Sequence, residues 1–125
     1  MSKFANKISG IKRVGIWKVP EGDRLITKKL HQADGKREQP IFENGIYEKK
    51  YRTIILRKIK NKRVFIDVGA NIGMWSRPMS MEFEKVISFE PDVRNMTCLK
   101  SNTKKRDNIE YRSEGVGETS GYSVI

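Results

Sequence analysis

Cysteine and histidine are almost missing from this sequence, which holds one of each, Cys98 and His31. A single thiol cannot close an internal disulfide, so Cys98 reads as an inert packed thiol in a reducing compartment. A single imidazole removes any scheme that needs two or three within one chain, such as a histidine-rich zinc site or paired-histidine acid–base chemistry. No metal is expected, and His31 reads as a surface residue. Long apolar runs are missing too, since nothing approaches the roughly 20 residues of a membrane-crossing helix. The opening stretch 1–10 lacks the apolar centre of a signal peptide. A cytoplasmic location with no membrane partner is the expectation.

Acidic residues are scarce: 15 Asp and Glu stand against 26 Lys and Arg, leaving a formal charge of +11. The basic residues cluster at 49–63 and 100–106 rather than in one tail. That balance suits a nucleic acid, an acidic glycan or a phosphorylated substrate. A well-solvated surface accounts for it equally well, because net charge governs association and solubility rather than fold. Nucleic acid is kept as the lesser alternative. A chain of 125 residues, 37% hydrophobic, has material for one compact domain rather than two.

Residues 1–61 form a polar, punctuated lead-in. Residues 14–19 alternate weakly and predict a short strand closed by the Pro20-Glu21-Gly22-Asp23 turn, with Asp23 capping a short helix to about Leu30. Trp17 reads as a core aromatic, with a place over a substrate entrance as the other reading. Between Tyr47 and Lys60, the apolar positions Tyr47, Tyr51, Ile54, Ile55 and Ile59 follow helical spacing opposite a basic face and predict one amphipathic helix. No internal repeat or low-complexity tract is present.

From Val64 onward the pattern changes. The run 64–68 is rich in β-branched residues and has the look of a strand buried on both faces. A glycine-rich turn follows, then a helix over 72–83 that Pro78 should kink or split. A second buried strand covers 85–89. Residues 93–102 read as a helix with Val93, Met96, Cys98 and Leu99 available for packing. A third strand is expected at 108–112, followed over 113–125 by a loop and the start of a further strand. Strands alternating with helices predict a parallel sheet and an α/β fold, with ligands at the carboxyl ends of the strands.

The chemistry is concentrated at Asp67-Val68-Gly69-Ala70-Asn71-Ile72-Gly73. Small residues there let the backbone approach a ligand closely, and Asn71 tolerates a left-handed conformation almost as glycine does. Glu90 lies 23 residues after Asp67, the span of a turn, a crossover helix and a return strand, so its carboxylate can accept both hydroxyls of a ribose. An ordinary βαβ unit with a surface glutamate is the plain alternative. A dinucleotide G-x-G-x-x-G starting at Gly69 would need glycine where Asn71 and Met74 stand, which disfavours NAD. No G-x-x-x-x-G-K-[ST] phosphate loop occurs.

The stretch from Val64 through Asp67-Val68-Gly69-Ala70-Asn71-Ile72-Gly73 to Ser76, followed by Ser88-Phe89-Glu90-Pro91, resembles the signature of the FkbM-like methyltransferases. The likeness continues through Leu99 and Asn102 to Asn108-Ile109-Glu110. It implies a Rossmann-like methyltransferase fold over 62–125, with a truncated parallel sheet flanked by helices, and S-adenosylmethionine as cofactor. It further implies that Asp67, Gly69, Ala70, Asn71 and Gly73 line the methionine part. Glu90 would hold the ribose, and Pro91 and Asp92 would border the adenine. Ser113-Glu114-Gly115 would be either an adenine contact or a plain loop, and Trp75 a packing residue.

The implied reaction is methyl transfer to a hydroxyl of a sugar, glycan or other small molecule, an in-line displacement in which positioning supplies most of the catalysis. No catalytic base is assigned. The resemblance also implies further strands, including one with an acidic K-x-D-x-E-G-type segment, where this sequence stops. An open sheet edge would then serve self-association or a second polypeptide. The alternatives are a non-catalytic cofactor-binding or interaction module, and a basic nucleic-acid-binding domain with a βαβ core.

Overall fold

The structure is a computed structural model that describes residues 10–23, 42–43 and 46–124. The chain divides into two compact units, residues 1–62 and 63–125.

In the first unit, β1 (Ile11–Val14) and β2 (Trp17–Pro20) form an antiparallel hairpin in which Val14 pairs with Trp17. The single strand predicted over 14–19 is therefore two strands, because Gly15 takes a left-handed φ of 59° and reverses the chain at Gly15–Ile16. Val14, Trp17 and Val19 are buried, so Trp17 is a core aromatic. The Asp23 amide donates to the Pro20 carbonyl over 3.2 Å, closing the expected turn. The helix expected from Asp23 to Leu30 lies outside the described residues.

A second antiparallel pair joins β3 (Phe42–Glu43) to β4 (Ile46–Tyr47). Glu48, at a φ of 50°, then turns the chain into α1 (Lys49–Lys58). The amphipathic helix is thus shorter than its 47–60 pattern, since Tyr47 is taken by a strand and Ile59 is extended. Arg57 and Lys58 in its last turn complement the negative end of the helix dipole.

The second unit is a three-stranded parallel sheet in the order β5 (Val64–Val68), β6 (Lys85–Phe89), β7 (Ile109–Arg112). The α/β class and parallel pairing expected from the alternation are present. Val64 pairs with Lys85, Asp67 with Ser88, and Ser88 with Tyr111. One face is packed. Trp75 stacks on Phe65 with centroids 6.2 Å apart, Phe83 tilts against the same ring at 5.3 Å, and Tyr111 packs against Ala70, Met96 and Leu99. Fully burying a side chain such as Leu99 or Val86 contributes about 2 kcal/mol.

The other face corrects the expectation of a strand buried on both sides. Val64, Ile66 and Val68 are 50%, 58% and 59% exposed, because both helical segments of this unit lie on the opposite face. β5 is also an edge strand, paired with β6 alone among the described residues.

The helix predicted over 72–83 is reduced to α2 (Ser76–Met79) between turns. Amide-to-carbonyl bonds of helical span run from Arg77 to Gly73, Met79 to Trp75 and Ser80 to Ser76, and Pro78, which has no N–H, leaves the Met74 position out of the series. The second helix, α3 (Val93–Asn102), has its expected bounds, with Met96, Cys98 and Leu99 buried. Val93, expected to pack, is 79% exposed.

Asp92 caps α3 by accepting from the amides of Arg94 at 2.8 Å and Asn95 at 3.1 Å. Replacing it by alanine should cost about 1 kcal/mol, read as a lower urea midpoint; an unchanged midpoint would show that solvent replaces the cap. Residues 113–124 are exposed and form no strand, against the expectation of a further one. No helix among the described residues is long and apolar enough to cross a membrane.

Candidate functional site

At the carboxyl end of β5, the chain folds back over the end of β6. The amides of Gly69 and Ala70 both donate to the Phe89 carbonyl at 2.9 Å, so the turn is fastened to the neighbouring strand by its own backbone. Gly69, Asn71 and Gly73 have φ values of 73°, 54° and 97°, the left-handed geometry that small residues and asparagine were expected to supply. A Cβ added at Gly69 would meet nothing within 4 Å, so the backbone there borders open space. At Gly73 a Cβ would lie 2.9 Å from Leu99 Cδ1, so this glycine serves the approach of α3 to the turn. Asn102 adds to that approach, its Nδ2 donating to the Ile72 carbonyl over 2.8 Å.

Glu90 faces the turn. The residue is 5% exposed, with Oε1 accepting from the Asn71 amide at 2.8 Å and Oε2 from the Asp92 amide at 2.9 Å. The Glu90 amide itself donates to the Arg112 carbonyl, which seats the residue between β6 and β7. Ala70 is buried against Met96 and Leu99. Pro91 and Asp92 follow directly, half-buried, and a Cβ at Gly115 would sit 3.9 Å from the Pro91 ring, which puts the 113–115 loop beside them. The structure therefore brings Gly69, Ala70, Asn71, Gly73, Glu90, Pro91, Asp92 and the 113–115 loop to one end of the sheet. Asn71 Oδ1 is buried with no hydrogen-bond donor among the described residues.

Asp67 lies beneath the turn rather than on its surface. It is buried, and its Oδ2 accepts from Ser76 Oγ over 2.5 Å, while Ser76 Oγ is 2.6 Å from Ser88 Oγ. Ser76 and Ser88 carried no assigned role in the sequence reading. The signal was present in Ser88, the one polar side chain between the lysine and the aromatic ring of an otherwise apolar strand.

Burial pushes the Asp67 carboxyl above the ordinary aspartate range; the Ser76 hydroxyl and amide oppose this, and the nearby Glu90 charge adds to it. An acid whose pKa is higher folded than unfolded holds its proton more tightly in the folded state. Its contribution to stability is fully present below the unfolded value of roughly 3.9 and is lost as pH rises through the raised folded value. Asp67→Asn removes that ionisation. Wild-type urea midpoints should fall relative to those of Asp67→Asn as pH rises from about 4 to about 7. Parallel profiles for the two proteins would contradict the assignment.

No family model and no curated protein matches this chain. Among the described residues, no group of three or more His, Cys, Asp or Glu is arranged to hold a metal ion. The arrangement can bind a ligand that offers hydroxyl or amine donors to a buried carboxylate and a face or short chain to a nearly side-chain-free bend. A carboxylate has about four lone-pair positions, and backbone amides engage one on each Glu90 oxygen.

Proposed function

We propose that residues 63–125 form the S-adenosylmethionine-binding part of a Rossmann-like methyltransferase that acts on a hydroxyl of a sugar or other small molecule. The observation that carries this reading is Glu90, a buried carboxylate at the carboxyl end of β6 aimed across the 69–73 turn, with lone pairs left for a ribose. The residues present fit the cofactor in three respects. Gly69 borders open space. Asn71 Oδ1 is an acceptor without a donor among the described residues. Pro91 and the 113–115 loop lie together, as a border for a flat base requires.

In this reading Glu90 accepts the two ribose hydroxyls, Gly69, Ala70, Asn71 and Gly73 pass the methionine part along the backbone, and Pro91 and Asp92 border the adenine. Bound there, the sulfonium would supply an electrophilic methyl group whose leaving group is a neutral thioether. The chain's own contribution is to hold and orient, which can supply most of the acceleration of such a displacement. Asp67 acts indirectly: through Ser76 it ties the end of β5 to the start of α2, on either side of the turn. Asp67 is taken up by Ser76 and Glu90 by the turn, so neither is assigned as a base, and the catalytic residue stays unassigned.

Titration calorimetry of the full chain with S-adenosylmethionine, and with NAD as the control, tests the reading. Saturable heat with the first and none with the second is expected. Binding of NAD instead, or of neither, would overturn it. Cofactor binding without transfer of a labelled methyl group to any acceptor would favour a non-catalytic cofactor-binding module.

A further inference from the structure

The helix α1 buries none of its ten residues. Tyr51, Ile54 and Ile55 recur at helical spacing on one face and stand 58%, 43% and 37% exposed. Ile59, just past the helix end, continues the same stripe in the sequence. Lys50 and Arg57 are exposed on one flank of that stripe, Lys58 is exposed one turn beyond Ile54 and Ile55 on the stripe's own side, and Lys60 is exposed past the helix end. No Asp or Glu occurs between Glu48 and Asp67, whereas residues 49–63 contain eight Lys and Arg. An uncovered apolar stripe thus lies along a helix whose charges are all of one sign.

We propose that α1 docks in the headgroup layer of an anionic lipid bilayer, lying in the plane of the surface. The stripe of Tyr51, Ile54 and Ile55 would enter the boundary between headgroups and acyl chains while the lysines and arginines meet acidic headgroups. A nucleic acid would be satisfied by the basic residues alone and would gain nothing from exposed isoleucines, since its affinity comes chiefly from phosphate neutralisation. An interface that is acidic outside and apolar just beneath, as an anionic bilayer is, uses both the basic residues and the stripe. The expectation of no membrane partner rested on the lack of a spanning segment, which has no bearing on attachment at the surface. Each Lys or Arg held near an anionic surface strengthens binding by about five-fold, and long basic side chains reach outward from a partly inserted helix. The inference does not depend on the cofactor reading, which concerns residues 63–125.

Co-sedimentation of the full chain with vesicles tests it. Binding to an equimolar phosphatidylcholine–phosphatidylglycerol mixture should exceed binding to pure phosphatidylcholine by on the order of 100-fold and weaken with added salt. Ile54→Asp and Ile55→Asp should each reduce it by at least about ten-fold. The pair Arg57→Glu and Lys58→Glu, at exposed positions, should reduce it as strongly. Ile54→Ser is the gentler change if an aspartate unwinds the helix, and far-ultraviolet circular dichroism reports whether the fold is kept. No sedimentation with the anionic vesicles would overturn the proposal, as would binding that the isoleucine variants leave intact. Tighter binding to a single-stranded RNA oligonucleotide, lost in Arg57→Glu and kept in Ile54→Asp, would assign the basic face to nucleic acid instead. A dimer in sedimentation equilibrium that Ile54→Asp dissociates would assign the stripe to a second copy.

Discussion

Gly73→Ala should destabilise the second unit by about 2–5 kcal/mol. Two costs add. A φ of 97° is a conformation that an alanine adopts only with strain, worth roughly 1–2 kcal/mol. The new methyl would also lie 2.9 Å from Leu99 Cδ1 and 3.4 Å from Thr103 Cγ2. Leu99 and Thr103 are 0% and 1% exposed, and Thr103 is already held by the Leu99 carbonyl and the Tyr111 hydroxyl, so neither has room to retreat. Overpacking of that kind costs about 1–3 kcal/mol. In a unit of this size the thermal midpoint should drop by about 10 °C or more. Gly69→Ala is the matching control: it has a left-handed φ of 73° but no neighbour within 4 Å, so it should lose only the backbone part. Equal losses in the two variants would show that contact with α3 contributes nothing.

The second large effect belongs to Glu90→Ala, and it has two separable components. Removing the carboxylate leaves the Asn71 and Asp92 amides without their acceptor, at about 1–3 kcal/mol for each donor that water does not reach. Denaturation without ligand reads that component. If the carboxylate also accepts two ribose hydroxyls, hydrogen bonds to a charged acceptor are each worth about 1.5–3 kcal/mol, and the Kd for S-adenosylmethionine should rise at least about 100-fold. Calorimetry below the unfolding temperature reads that component by itself. A variant that loses stability yet binds within about three-fold of wild type would leave Glu90 as a clamp on the turn and end its assignment to the ribose.

The features most legible in the sequence were those set by local chemistry. The glycine-rich turn and Glu90 could be placed on one sheet end because the parallel register of β5 and β6 follows from two apolar runs of equal length separated by one crossover. The bounds of α3 were legible because Val93, Met96, Cys98 and Leu99 keep helical spacing, and the start coincides with a cap at Asp92 that the structure adds. The length of α2 was not, since the apolar spacing of Ile72, Met79 and Phe83 persists through turns and only the missing amide of Pro78 interrupts the bonding. The hairpin at Gly15 was hidden because Val14 and Trp17 suit one strand as well as two. The exposed face of β5 was misread because an apolar run reports what a strand is able to bury, and burial also needs a covering layer. Within the candidate site, the turn and its acid were recognisable by residue type, whereas the Asp67, Ser76 and Ser88 contacts depend on tertiary geometry that brings residues nine and twelve positions apart together.

Those three side chains have a consequence for where protons sit. The Ser76 hydroxyl has one hydrogen, and when it points at an ionised Asp67 its oxygen is left to receive the hydrogen of Ser88. Once the acid is neutral and donates to Ser76, the polarity of the chain reverses, and both hydroxyls rotate together. A change in a single buried charge on β5 is thereby written into the orientation of a hydroxyl on β6, two residues before Glu90.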